Sequence, residues 1–281
     1  MKPLFRLAST LAAIPLLFGI ASSTPAYALT NGSGIDQGKG FDTCQDPTAA
    51  QMQAFWTGTP YFWLGTYIGG SLMACSQPNL SSSWVTTVNN QGWDFEFIWV
   101  GPEPPCTGYA SRFSSDPATA YQQGRNEAVS AWNTLTNTLG ITNGASGTAL
   151  VYDLESSPSS CQSATNSFIA GWDYQLQLTP AQKAGVYGAV CGSNLAAYAS
   201  ISSVPDFVWG AWWNGNPSTS NLDGGGCGVP NGSWGYHQRL KQYQGGHNET
   251  WNGVTLNVDS DCANGPTDPS GTGTYVDPAC P

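Results

Sequence analysis

The sequence predicts an α/β protein, a single irregular (β/α)8 TIM-like barrel bridged by disulfides. Three observations carry that expectation. Eight apolar runs of strand length recur along the chain, and several are continuous, as in a parallel sheet buried on both faces. Helical signals separate the earlier runs and fade after the sixth. Carboxylates stand at the ends of three of the runs, where barrels of this kind gather their functional groups. A doubly wound open sheet is the runner-up, but no GxGxxG follows any predicted strand.

In chain order, residues 1–28 read as a secretory signal peptide. Lys2 and Arg6 precede the apolar run Leu11 to Ile20, which is too short to span a bilayer, and Ala26-Tyr27-Ala28 fits a small-x-small cleavage site. The barrel domain is expected over 29–264. Its strands are Gly40 to Asp42, Phe62 to Ile68, Phe95 to Val100, Thr148 to Leu154, Gly185 to Val190, Phe207 to Trp213, Gly235 to Tyr243 and Val254 to Asp259. Asp46-Pro47 and Asp116-Pro117 each place a helix N-cap beside a proline suited to the first turn. From Asp116 to Leu139 the stripe Tyr121, Ala128, Trp132, Leu135 and Leu139 predicts one helical face, stopped by Gly140. A third helix is expected from Ser163 to Leu178. Residues 265–281 read as an extended tail tied back through Cys280.

Composition narrows the function. The chain of 281 residues has 8 Lys+Arg against 18 Asp+Glu, a net charge of −10, and signal cleavage takes it to −12. Such a chain, with a pI near 4.3, has no electrostatic footprint for nucleic acid or an anionic membrane. A hydrophobic fraction of 40% is enough for a core, which excludes a disordered chain. Eight cysteines without a CxxC pair, in an exported chain, imply disulfides rather than a metal site, with the connectivity left open. No HExxH, GxSxG or P-loop occurs, and neither His237 nor His247 singles out a nucleophile. No metal or cofactor is expected. Asn79, Asn231 and Asn248 begin glycosylation sequons, which matter only in a host that glycosylates.

The carboxylates carry the chemistry. Asp153 and Glu155 are two apart on the fourth predicted strand, so both should face the barrel mouth. Asp42 ends the first strand and Asp259 the eighth, and these strands are neighbours in a closed barrel. Four carboxylates in one mouth should raise at least one pKa by repulsion and desolvation, as glycosidic bond cleavage requires. Taken singly, Asp42 also reads as a cap or turn residue, and Asp259 as a loop carboxylate or a Ca²⁺ ligand with Asp261. Sugar rings stack on aromatic faces, although tryptophan is also ordinary core material. Tyr67, Trp99, Trp212 and Tyr243 are the candidate sugar-binding residues. Of Trp212 and Trp213, alternation turns only one inward.

The motifs Gly40-Phe41-Asp42-Thr43-Cys44, Tyr67-Ile68-Gly69-Gly70, Val151-Tyr152-Asp153-Leu154-Glu155 and Gly185-Val186-Tyr187 occur in that order. The chain thereby resembles the secreted glycoside-hydrolase-like family first described as domain of unknown function 1906, from about Ile35 to Ala263. It is more distantly similar to the family-25 glycoside hydrolases, the muramidases. That likeness rests on Phe41-Asp42, Asp153-Leu154-Glu155, Trp209-Gly210-Ala211-Trp212, Lys241-Gln242-Tyr243 and Val258-Asp259, with Lys241 replacing the usual Trp. The resemblance implies Glu155 as general acid, Asp153 and Asp42 shaping its charge and stabilising an oxocarbenium-like state, and Asp259 as a further cleft carboxylate. It also implies hydrolysis of a cell-wall-type polysaccharide. The alternative is a non-catalytic glycan-binding or cell-envelope structural module that keeps the barrel and acidic cleft.

Most of the cysteines follow a predicted strand on one side of the barrel. Bridges between neighbouring loops are therefore expected: Cys44–Cys75, Cys106–Cys161, Cys191–Cys227 and Cys262–Cys280. The overall expectation is a secreted, extracellular or cell-wall-associated monomer. Its partner would be a polysaccharide or peptidoglycan-like glycan, with no nucleic acid and no membrane after signal cleavage.

Overall fold

A computed structural model describes residues 33–141, 147–178, 182–268 and 276–281. The predicted signal peptide lies outside the described residues. Eight strands close into one barrel in sequence order: β1 (Gly34–Asp42), β2 (Trp63–Gly69), β3 (Asp94–Trp99), β4 (Ala149–Asp153), β5 (Lys183–Ala189), β6 (Phe207–Ala211), β7 (Arg239–Trp251) and β8 (Val254–Thr267). Pairing is parallel from β1 through β7. β8 departs from the eightfold pattern, because it runs antiparallel to both β7 and β1. The reason is local. Asn252-Gly253, both with positive φ, turns the chain in two residues, which leaves no room for a crossover helix.

Helices cover the earlier strands: α1 (Ala49–Gly58), α2 (Ser82–Gln91), α3 (Pro117–Asn133, continued by a wide turn to Thr138) and α4 (Gln162–Gln177). A short 3₁₀ helix, Leu195–Ser200, stands between β5 and β6, and among the described residues no helix separates β6 from β7. Asp116 caps α3 as predicted, its Oδ2 accepting from Thr119 N at 2.8 Å. Asp46 does not cap α1. Thr48 does, in a capping box with Gln51, while Asp46 is buried between β1 and the segment after β2. α2 escaped prediction because only Trp84, Val85 and Val88 mark its buried face among Ser, Thr, Asn and Gln.

The buried seam of α3 also differs from the predicted stripe. Ala120, Gly124, Ala128 and Ala131 face inward, whereas Tyr121 and Trp132 are half-buried. Contact with α4 selects the small residues. A Cβ on Gly124 would fall 2.0 Å from the Phe168 carbonyl oxygen, and one on Gly171 would fall 2.1 Å from that of Tyr121. The two backbones touch, so neither position admits a larger residue.

Apolar side chains form two layers. Phe41, Phe95, Phe97, Tyr152, Val186 and Val208 pack outward under the helices. Trp63, Ile98, Val151, Phe207, Trp209, Leu240 and Ala263 fill the barrel. Trp63 and Trp209 meet edge to face at 5.4 Å and make the floor beneath the mouth.

All four expected disulfides are present. Cys262 does not stand on the mouth side, however. It lies within β8, paired with Lys39 and Lys241, so its bridge to Cys280 anchors the chain terminus rather than the rim.

Several carboxyls are buried without a cation. Burial first, and then Asp36, push Asp94 up to about 9. Burial pushes Asp46 up to about 8. Glu96 is fully buried, and neither oxygen meets a hydrogen-bond donor among the described residues. Such groups keep their protons when folded and lose them near pH 4 when unfolded, so their stabilisation is present in acid and lost as pH rises toward 8–9. Each costs about 1.4 kcal/mol of stability per pH unit across that window. Tm should therefore fall by roughly ten degrees or more between about pH 5 and pH 9. Scanning calorimetry that found Tm flat or rising over this range would remove the claim.

Candidate active site

The mouth forms where the parallel strands end. Asp42 is the last residue of β1 and Asp153 the last of β4. Because β8 descends from the mouth, Asp259 lies in its first half and pairs directly with Asp42. It thus reaches the expected place by a different route, from within a strand instead of after one. Glu155 lies two residues beyond β4, with Leu154 turned into the outer core between the carboxyls. Asp42, Asp153, Glu155 and Asp259 all line one cleft of about 390 Å³, together with Tyr67, Glu103, Tyr109 and the Cys44–Cys75 bridge. A second hollow of about 500 Å³ is lined by Tyr187, Trp212, Trp213 and Cys191. Glu155 lines both, so it stands on the divide between an acidic lobe and an aromatic lobe.

Gln242 ties the lobes together. Its Nε2 donates to Asp42 Oδ2 at 2.7 Å and, more distantly, to Asp259 Oδ2 at 3.5 Å. Its Oε1 accepts from Tyr187 Oη at 3.0 Å and Trp213 Nε1 at 2.8 Å. These partners fix which end of the amide faces which lobe. Tyr67 Oη donates to the other oxygen of Asp42 at 3.4 Å. One layer down, Asp261 accepts from Trp209 Nε1 at 3.2 Å. Glu103, fully buried on the loop after β3, accepts from the backbone N–H of Glu155 and of Ser156, at 3.0 and 3.3 Å. The Cys106–Cys161 bridge holds the same two loops together.

Crowding sets the electrostatics. Burial, and then the charge of Asp259, push Asp42 up to about 8 against the opposing bonds from Gln242, Asp261 and Tyr67. Asp153 is driven well above the carboxylate range by burial and by Glu155, Glu103 and Asp42. Burial and Asp259 raise Glu155. Asp259 is raised by burial, opposed by the Gly246 N–H and by His247. Glu103 is pushed to about 7 by burial, against the two N–H groups that favour its anion. Carboxyls this close share protons as a set at neutral pH. Among the described residues no group of three or more His, Cys, Asp or Glu has a geometry that could hold a metal ion.

Two of the predicted sugar-binding aromatics lie elsewhere. Trp99 points outward, its Nε1 donating to Glu127 on α3 at 2.7 Å. Ile98 takes the inward position on β3, and an apolar run covered on both faces gives no parity by which to tell the two apart. Tyr243 also faces outward, against Tyr61 and Ser260. Here the signal existed, since Leu240 inward implies Gln242 inward and Tyr243 outward. Tyr67 and Trp212 do line the hollows. Lys241, buried behind β7, places its Nζ 5.1 Å over the Trp212 ring, while Trp213 is 65% exposed and rests on Gly245. A Cβ at Gly245 would come within 2.4 Å of that indole. Glu103, Tyr109, Tyr187 and Gln242 are the cleft residues that sequence reasoning did not assign, and both Trp212 and Trp213 line the aromatic hollow, where alternation predicts only one of them turned inward.

Residues 53–263 match the family described as Rv2525c-like, glycoside hydrolase-like domain. Among solved structures, the fold is similar to an uncharacterized B. stearothermophilus protein, with 19% identity, a TM-score of 0.52 and coverage of 80% of this chain and 95% of that one. It is similar to the Mycobacterium tuberculosis Tat-secreted protein Rv2525c, with 15% identity, a TM-score of 0.50 and coverage of 80% and 95%. A family 25 glycosyl hydrolase from Bacillus anthracis aligns at 13% identity and a TM-score of 0.48 over 81% of this chain and 88% of its own. None of the curated proteins matches the sequence closely enough to serve as a relative. With most of its length covered, the chain belongs to the Rv2525c-like, glycoside hydrolase-like family.

Proposed function

We propose that the protein is an exported glycoside hydrolase acting on a cell-wall-type polysaccharide. One observation carries this reading: Asp42, Asp153, Glu155 and Asp259 line a single open cleft. Glu155 is the general acid, because it alone of the four borders both lobes, where the oxygen between two sugar units would lie. Its raised pKa keeps a proton available for that oxygen. Asp153, Asp42 and Asp259 surround the acidic lobe, and the negative charge that the set retains stabilises the positive charge that develops at the anomeric carbon as the bond breaks. The leaving sugar occupies the aromatic lobe, over Trp213 and Tyr187. Residues 1–28 direct export, in keeping with four disulfides, which persist in oxidising compartments.

Incubation with peptidoglycan and chitin-type polymers, followed by mass spectrometry of released fragments, tests the reading. Glu155→Gln should lower turnover by roughly a hundredfold or more while oligosaccharide binding persists. Fragment release that is unchanged in this variant removes Glu155 from its role. An unmodified protein that binds glycan and releases nothing is the non-catalytic module instead. Trp213→Ala in the Glu155→Gln background should weaken oligosaccharide binding about two- to tenfold by calorimetry, because the exposed stacking face is lost. Unaltered affinity would place the leaving sugar elsewhere.

A further inference from the structure

The acidic lobe holds more carboxyls than bond cleavage requires, and among the described residues no Lys or Arg offsets them. Asp42, Glu103, Asp153, Glu155 and Asp259 line it, and none of its lining residues is Lys or Arg. The nearby basic side chains are engaged elsewhere. Lys241 lies behind β7 against Trp212 and Asn214. Arg112 donates to the Thr107 carbonyl, and His247 pairs with Glu249. A second observation points to a missing donor. Asp153 is 3% exposed and lines the lobe, yet its Oδ1 has no hydrogen-bond partner among the described residues. A buried carboxyl oxygen without a hydrogen-bond partner costs free energy that a ligand can return.

Resting on the hydrolase reading above, we infer that the sugar seated in the acidic lobe carries a free ammonium group, as in a de-N-acetylated, glucosamine-type glycan. An ammonium offers three donors and no acceptor, which suits a lobe rich in acceptors. An acetamide would set its own carbonyl oxygen among the carboxyls. Charge-assisted N–H to carboxylate bonds are about twice as strong as neutral ones. A sugar is favoured over a basic peptide because Tyr67 and Tyr109 in this lobe, and Tyr187 and Trp213 in the next, offer flat faces on both sides of Glu155. Five crowded carboxyls cannot all ionise while the lobe is empty. An entering cation takes the place of their protons, so its binding must release protons.

The test is calorimetric and is made on the Glu155→Gln protein, so that it does not depend on turnover. Glucosamine tetramer, N-acetylglucosamine tetramer and tetralysine are titrated near pH 6 in two buffers of different ionisation heat. The glucosamine tetramer should bind roughly tenfold or more tightly than its acetylated counterpart, with net proton release, and tetralysine more weakly than either. Asp153→Asn should abolish both the preference and the proton release. Asp259→Asn should diminish both, and it stands in if the first variant fails to fold. Equal or tighter binding of the acetylated tetramer, binding of the amine without proton release, or tetralysine matching the glucosamine tetramer would overturn the inference. Cleavage of acetylated polymer by the unmodified protein, together with any of these results, leaves the hydrolase reading standing and removes this one alone.

Discussion

The reversal of the last strand is the constraint from which the site follows. In an all-parallel barrel the eighth strand would rise toward the mouth, and only its final residue could contribute there. Because the Asn252-Gly253 turn sends β8 downward, its upper half crosses the mouth beside β1, and Asp42 and Asp259 become direct partners in the ladder. Register in a sheet is set to the residue, since a slip of one turns every side chain to the opposite face. Hydrogen bonding between two backbones thus places these carboxyls side by side on one face of the ladder. Gln242, across the other edge of β8, answers that crowding with one amide that donates to both.

The floor of the cleft depends on a second pair of choices. Trp63 and Trp209 fill the barrel beneath the carboxyls, and their indole N–H groups bond to the Gly38 carbonyl at 3.1 Å and to Asp261 at 3.2 Å. Large aromatic rings displace water from below, which contributes to the burial of Asp42 and Asp153 above them, 2% and 3% exposed. On the outside, α3 and α4 approach until their backbones touch at Gly124 and Gly171. That contact holds the loop after β3, which carries Glu103, against the loop after β4, which carries Glu155, with Cys106–Cys161 as the covalent reinforcement.

Much of this could be read in the sequence, for physical reasons that differ by residue. The parallel strands from β2 to β6 were legible because a buried parallel sheet writes itself as continuous apolar runs. By contrast β1, β7 and β8, with polar residues alternating along them, were located but read shorter than they are. Asp153 and Glu155 were legible because a separation of two places both on one side. Asp42 and Asp259 followed from barrel closure, although the direction of β8 did not. The bridges followed from loop proximity, apart from the location of Cys262. What stayed hidden were relations between distant segments. Nothing in the neighbourhood of Glu103 announces that its carboxylate will anchor Glu155 and Ser156, some fifty residues on. Trp99 failed for the opposite reason: both faces of β3 are apolar, so alternation carries no information about which side a tryptophan takes.

The pairing of Asp42 with Asp259 joins segments more than two hundred residues apart, and no earlier portion of the polypeptide can substitute for the closing strand. Contacts of such long sequence separation form late, after the entropy of a very large loop has been overcome. Until the closing strand has docked against β1, the two carboxyls are not juxtaposed. The acid pair therefore arises together with barrel closure, because the strand that brings Asp259 to Asp42 is the one that seals β7 to β1.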